Sequence, residues 1–140
     1  GGGGGDPAQD QREISLLAGS LAARTRLARG DTTGALNALQ SLRPTAHQGL
    51  LRWVPWEALG WERLTLARLL AGRNRSSEAL AVAEGFDSPA SIGLIPWVPA
   101  SLLLREELAL TLNDRARALE MRTRYLGLRP GGAPTPARGR

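Results

Sequence analysis

The chain is 140 residues long, enough for one domain with a sizeable core, and its 18 basic and 13 acidic residues leave a net charge of +5. Every basic residue is arginine, which excludes from this chain any chemistry that needs a lysine amine, from phosphate-loop nucleotide binding to Schiff-base formation. Cysteine is absent too, which removes disulfides, thiolate catalysis and cysteine metal sites and fits a cytoplasmic protein.

Residues 1–11 open with five glycines and read as a flexible linker, without the basic start and apolar stretch of a signal peptide. From Gln11 to Arg29, Ile14, Leu17, Ala18, Leu21 and Ala28 recur at helical spacing and predict a first helix. Gly30-Asp31 stops it and caps a second, Asp31 to Leu42, whose Ala35, Leu36 and Leu39 share a face and which Pro44 ends. The connection that follows holds His47, the only histidine. Catalysis there needs a nucleophile and an orienting carboxylate, and a metal needs further ligands, so the expectation is a loop residue and no metal site.

Pro55 suits the first turn of a third helix, and Trp56 to Ala71 is apolar on nearly every side, the pattern of a helix buried between neighbours. Gly72-Arg73-Asn74-Arg75 breaks it, and Ser76-Ser77-Glu78 predicts the cap of a short helix ending near Glu84. Asn74-Arg75-Ser76 matches the glycosylation acceptor pattern, which matters only in a secretory context. The longest uncharged run, Ser88 to Leu104, falls short of a membrane span and holds three prolines, so no membrane insertion is expected. A last pair follows, Ala100 to Leu112 and Asp114 to Leu128, joined at Asn113-Asp114. Residues 129–140 mix Pro, Gly and Arg without periodicity and read as a disordered basic tail.

The tripeptide Trp-Val-Pro occurs twice, at Trp53-Val54-Pro55 and Trp97-Val98-Pro99, each opening a helical stretch, which is the mark of an internal repeat. A tryptophan beside a proline at a helix entry serves as a staple onto that helix. The three polar breaks superimpose as Gly30-Asp31-Thr32-Thr33-Gly34-Ala35-Leu36, Arg73-Asn74-Arg75-Ser76-Ser77-Glu78-Ala79-Leu80 and Asn113-Asp114-Arg115-Ala116-Arg117-Ala118-Leu119. Each places alanine and then leucine just past a turn. This resembles the middle of a tetratricopeptide repeat (TPR). Ala23 and Ala67 match the small residue of that family's first helix, where the third pair has Glu106, and Pro44, Pro89 and Pro130 close the units. The steps from Ala35 to Ala79 and from Ala79 to Ala118 are unequal, and the family's aromatic signature in the first helix is missing. The stretches Val54-Pro55-Trp56-Glu57 and Phe86-Asp87-Ser88-Pro89 are similar to ones in the C-terminal helical-repeat segments of large bacterial regulators, including some serine/threonine protein kinases.

The resemblance implies an all-α fold over residues 12–128: three stacked helical hairpins forming a TPR-like α-solenoid between disordered termini. It implies a non-catalytic protein-protein interaction or scaffold module without a cofactor, the C-terminal part of a larger bacterial regulatory protein whose catalysis lies elsewhere. In the family register Trp61, Leu64 and Arg68 face the groove, with Leu17 and Arg24 equivalent in the first pair and Leu103 and Glu107 in the third. The expected partner-binding set for a protein or peptide is therefore Arg24, Trp61, Leu64, Arg68, Leu103 and Glu107, an aromatic beside arginines being the composition of an interaction hot spot. The alternative is a nucleic-acid surface made by Arg115, Arg117, Arg122 and Arg124 of the last helix, residues that otherwise suit a polar capping helix. Glu106 and Glu107 are adjacent carboxylates, but neighbours on a helix diverge by about 100° and cannot act on one bond as a glycosidase pair does. The expected location is cytoplasmic, or extracytoplasmic for a piece of a membrane-anchored regulator.

Overall fold

The computed structural model describes residues 7–42, 59–87 and 92–128, and among these every regular element is helical. Six α-helices follow in order: α1 Pro7–Ala28, α2 Thr32–Gln40, α3 Gly60–Gly72, α4 Ser76–Glu84, α5 Val98–Thr111 and α6 Arg115–Gly127. Short 3-10 turns at Gly85–Asp87 and Ile92–Trp97 lie between α4 and α5. Among the described residues no helix is long and apolar enough to cross a membrane.

The three tight turns are built alike. Each first helix ends on a residue in the left-handed region, Gly30 (φ 78°), Asn74 (φ 61°) and Asn113 (φ 63°), the residue types that tolerate it best. The following amide donates back to a carbonyl five residues earlier: Asp31 to Arg26 at 2.8 Å, Arg75 to Leu70 at 3.0 Å, Asp114 to Ala109 at 2.8 Å. The left-handed residue itself donates to Leu27, Ala71 and Leu110 at 2.9, 3.1 and 3.0 Å, completing the same cap three times. Asp31 and Asp114 then cap the second helices, accepting from the amides of Gly34 at 2.8 Å and Arg117 at 3.0 Å. At α4 the cap position is Arg75, with no side-chain cap bond, where the sequence pointed to Ser76-Ser77. Arg75 instead forks onto Glu78 at 2.8 and 2.7 Å, and Arg73 reaches across to Thr33 at 2.7 Å.

Because each second helix starts at once after its turn, its alanine meets the first helix at close range: Ala35 and Ala79 are wholly buried and Ala118 nearly so. Within each pair α1 packs on α2, α3 on α4 and α5 on α6, while α2 touches α3, α4 touches α5, and α3 reaches α5. Leu36, Leu64, Ala67, Leu70, Leu80, Phe86, Leu94, Leu104 and Leu108 form one core that runs through all three pairs. The central position of α3 explains its apolar circumference, since only Arg68 and Gly72 of its residues are exposed.

Four expectations change. The first helix starts at Pro7, so residues 7–11 are helical and not linker. The third starts at Gly60, because Leu59 adopts a left-handed conformation (φ 54°) that no helix can continue through. The apolar spacing that marks α1 in the sequence does not face the core: Ile14, Leu17 and Leu21 are 65%, 52% and 55% exposed, and the buried face is Leu16, Ser20 and Ala23. Leu42, at the far end of the short α2, packs against Gly19, so the helix pair closes on that other side. Finally, the fifth helix starts at Val98 and not at Ala100, with Trp97 ending a 3-10 turn immediately before it and Pro99 in its first turn. The first Trp-Val-Pro copy, Trp56, Pro44, His47, Pro89, Pro130 and the basic tail lie outside the described residues.

Candidate functional site

The site begins with a glycine. At the start of α3 a Cβ on Gly60 would run into the Trp97 ring, so only glycine lets that indole lie against the helix. The next residue, Trp61, projects half-buried beside it, and α1 supplies the facing wall. Leu17, Ser20, Leu21 and Arg24 from α1 together with Leu59, Gly60, Trp61, Glu62 and Trp97 enclose an open cleft of about 350 Å³.

Arg24 is held over this cleft from three directions. Its guanidinium carbon stands 3.9 Å from the centroid of the Trp61 ring, a cation-π stack. Its Nη2 lies 3.8 Å from Oε1 of Glu62, and its Nε donates to the Ser20 hydroxyl at 3.5 Å. Glu62 is buried on the same face, so the cleft has two indoles and three leucines for apolar contact and one carboxylate and one guanidinium for direction. Such a surface can seat an apolar or aromatic side chain from another molecule and orient the backbone that carries it. Among the described residues no three His, Cys, Asp or Glu side chains cluster as a metal site would need.

The structure brings together two of the six residues expected to bind a partner, Arg24 and Trp61. Leu64 does not join them: at 3% exposure it is part of the core, and a partner cannot reach it. The cause is α3's central place, which turns that position toward α4 and α5. Arg68 is exposed on α3 two turns past Trp61 and has no ion pair among the described residues. Leu103, 41% exposed, and Glu107 lie on the open face of α5, outside the cleft.

The arginines of α6 are employed as stitches. Arg117 donates to Glu84 at 3.0 Å, tying α6 to the end of α4, and Arg122 donates to Glu106 of α5 at 3.0 Å. Arg124 forks onto Asp87 at 2.8 and 3.2 Å. Asp87 also receives a fork from Arg105 at 2.9 and 2.7 Å, so one carboxylate joins α5, α6 and the segment after α4. Arg105 is buried, and its Nε finds no acceptor. Hydrogen bonds from Arg105 and then Arg124 hold the Asp87 carboxyl well below the usual carboxylate range. Of the four residues of the alternative nucleic-acid set, only Arg115 is exposed without a carboxylate partner among the described residues.

Sequence reasoning missed Glu62, Trp97 as a cleft wall, Leu21 and the Asp87 junction. Trp97 carried a signal, the repeated Trp-Val-Pro, which the staple reading absorbed. Asp87 carried only the Phe-Asp-Ser-Pro likeness, because its partners are distant in sequence. No protein-family model, curated protein or solved structure matches this chain.

Proposed function

We propose that the chain is a non-catalytic protein-interaction module of the TPR-like α-solenoid kind, belonging to a larger bacterial regulatory protein and binding a partner segment at the α1–α3 cleft. The observation that carries this reading is the stacking of Arg24 on Trp61 beside the exposed Leu17 and Leu21, with Glu62 buried beneath. Aromatic and arginine side chains beside exposed apolar ones supply the contacts that dominate binding energies at interfaces. Three alike helix turns, and contacts that run from each pair to the next in chain order, support the repeat reading.

The test is selection from a random peptide library displayed on phage. Peptides selected on the protein should shift its tryptophan emission, as Trp61 and Trp97 both line the cleft. Their binding should fall by roughly thirtyfold or more in the double variant Trp61→Ala with Arg24→Ala, the loss of about 2 kcal/mol expected for an anchor. Selected peptides indifferent to that variant, or a library that enriches nothing, would overturn the reading.

A further inference from the structure

We propose that the α1–α3 cleft receives a cationic side chain, an arginine or lysine of the partner segment, and that the Glu62 carboxylate is the group that receives it. The inference rests on the reading of that cleft as the partner site and names what the partner must carry. Glu62 stands in the first turn of α3 and lines the cleft together with both indoles, yet its side chain is only 10% exposed. Arg24, its one ion-pair partner, lies 3.8 Å away, too far for a hydrogen bond, and among the described residues no donor hydrogen-bonds to either oxygen. A carboxylate has about four acceptor positions. To bury one with all of them unserved by the chain is costly, so a carboxylate placed in this way at a cleft suits a donor that arrives with a ligand.

Asp87 shows what such a group takes when its donors belong to the chain. It accepts four hydrogen bonds from the guanidinia of Arg105 and Arg124, although at 41% exposed its side chain is far more open to water than that of Glu62. One carboxylate can thus serve two cations, and Arg24 need not leave for a second to enter. Arg24 is held back on the Trp61 ring and by the Ser20 hydroxyl. The surroundings of Glu62 select the occupant. An acidic side chain would bring a like charge to buried oxygens, and an apolar one would strip them of water and give no hydrogen bond in return. A guanidinium or ammonium supplies both the donors and the opposite charge, and the Trp97 indole offers it an aromatic surface. The aliphatic stems of arginine and lysine suit the exposed Leu17 and Leu21 on the way in.

The test is phage selection on the full chain from peptide libraries that differ only in a central residue, fixed as arginine, glutamine or glutamate. The arginine library should enrich. A selected peptide remade with citrulline, which keeps the shape of arginine without its charge, should bind the parent roughly tenfold or more weakly. To Glu62→Gln the two peptides should bind alike. That variant should also melt no lower than the parent, since it removes a buried charge that no hydrogen bond holds; a marked fall would make Glu62 a support of the fold and overturn the proposal. Should the variant fail to fold, the citrulline comparison on the parent decides. Enrichment confined to the glutamine or glutamate library, equal binding of the arginine and citrulline peptides to the parent, or an arginine preference that survives Glu62→Gln overturns the proposal. In each of these cases the cleft still stands as the partner site so long as Trp61→Ala with Arg24→Ala abolishes capture. Libraries that enrich nothing, or peptides indifferent to that double variant, overturn both readings together.

Discussion

Asp87 shows how much one surface carboxylate can hold. It is the sole counter-ion of Arg105 among the described residues, and Arg105 is 3% exposed, so truncating the acid leaves a buried guanidinium unpaired. Asp87→Ala should destabilise by about 3 kcal/mol in urea titration, the low end for a broken buried pair because Asp87 itself is partly open to water. A change under about 1 kcal/mol would mean that solvent replaces the acid at little cost. The same contact gives an acid sensitivity with a definite sign. In the folded chain the carboxyl protonates well below the usual range, and in the unfolded chain at about 3.9. Its stabilisation is therefore complete above that ordinary value and drains away as pH falls through it toward the folded one. Asp87→Asn should flatten the fall in urea midpoint between about pH 5 and about pH 2. Gly60 is a second pivotal residue. Gly60→Ala pushes a methyl into the Trp97 ring and should cost about 1–3 kcal/mol, with a changed tryptophan emission as its signature.

Among the elements, α2, α4 and the turns were legible because local chemistry decides them. Gly30, Asn74 and Asn113 announce left-handed stops, and an aspartate follows two of them as the cap. The buried alanines 35, 79 and 118 follow from the same register. Asn113→Ala should accordingly cost about 1 kcal/mol by the left-handed penalty alone, and Ala79→Asp several, as a charge forced between α3 and α4 without a partner. Equal stability of Ala79→Asp and the parent in a thermal melt would show that this alanine is not at a close approach. What the sequence hid is the direction of a face. Ile14, Leu17 and Leu21 have the spacing of a buried stripe, and periodicity states only that a face exists, not what covers it. The buried face of α1 contains Ser20, a residue no hydropathy pattern would select. Likewise Leu64 and Trp61 are both apolar and near neighbours on α3, and only the placement of α4 and α5 puts one in the core and the other on the cleft. The Leu59 break was invisible for a similar reason, since leucine carries no turn signal.

For the molecule as a whole, the excess of arginine reads differently once its partners are known. Arg117 and Arg122 each pair with a carboxylate of another helix, and Arg124 with Asp87 in the turn after α4. Changing all three to Gln should lower the melting temperature and leave nucleic-acid binding as weak and salt-sensitive as in the parent. Tight binding of DNA or RNA at physiological salt, lost in that variant while cleft variants keep it, would reverse the functional assignment. The Asp87 junction also has a meaning in time. A ribosome delivers Asp87 37 residues before Arg124, and Arg105 18 residues after Asp87. While the chain is being made, the first two helix pairs can settle, but the acid that clasps the third must stay hydrated until its two arginines arrive. Asp87 is thus a contact that the first two pairs cannot complete by themselves, since both of its arginines belong to the third.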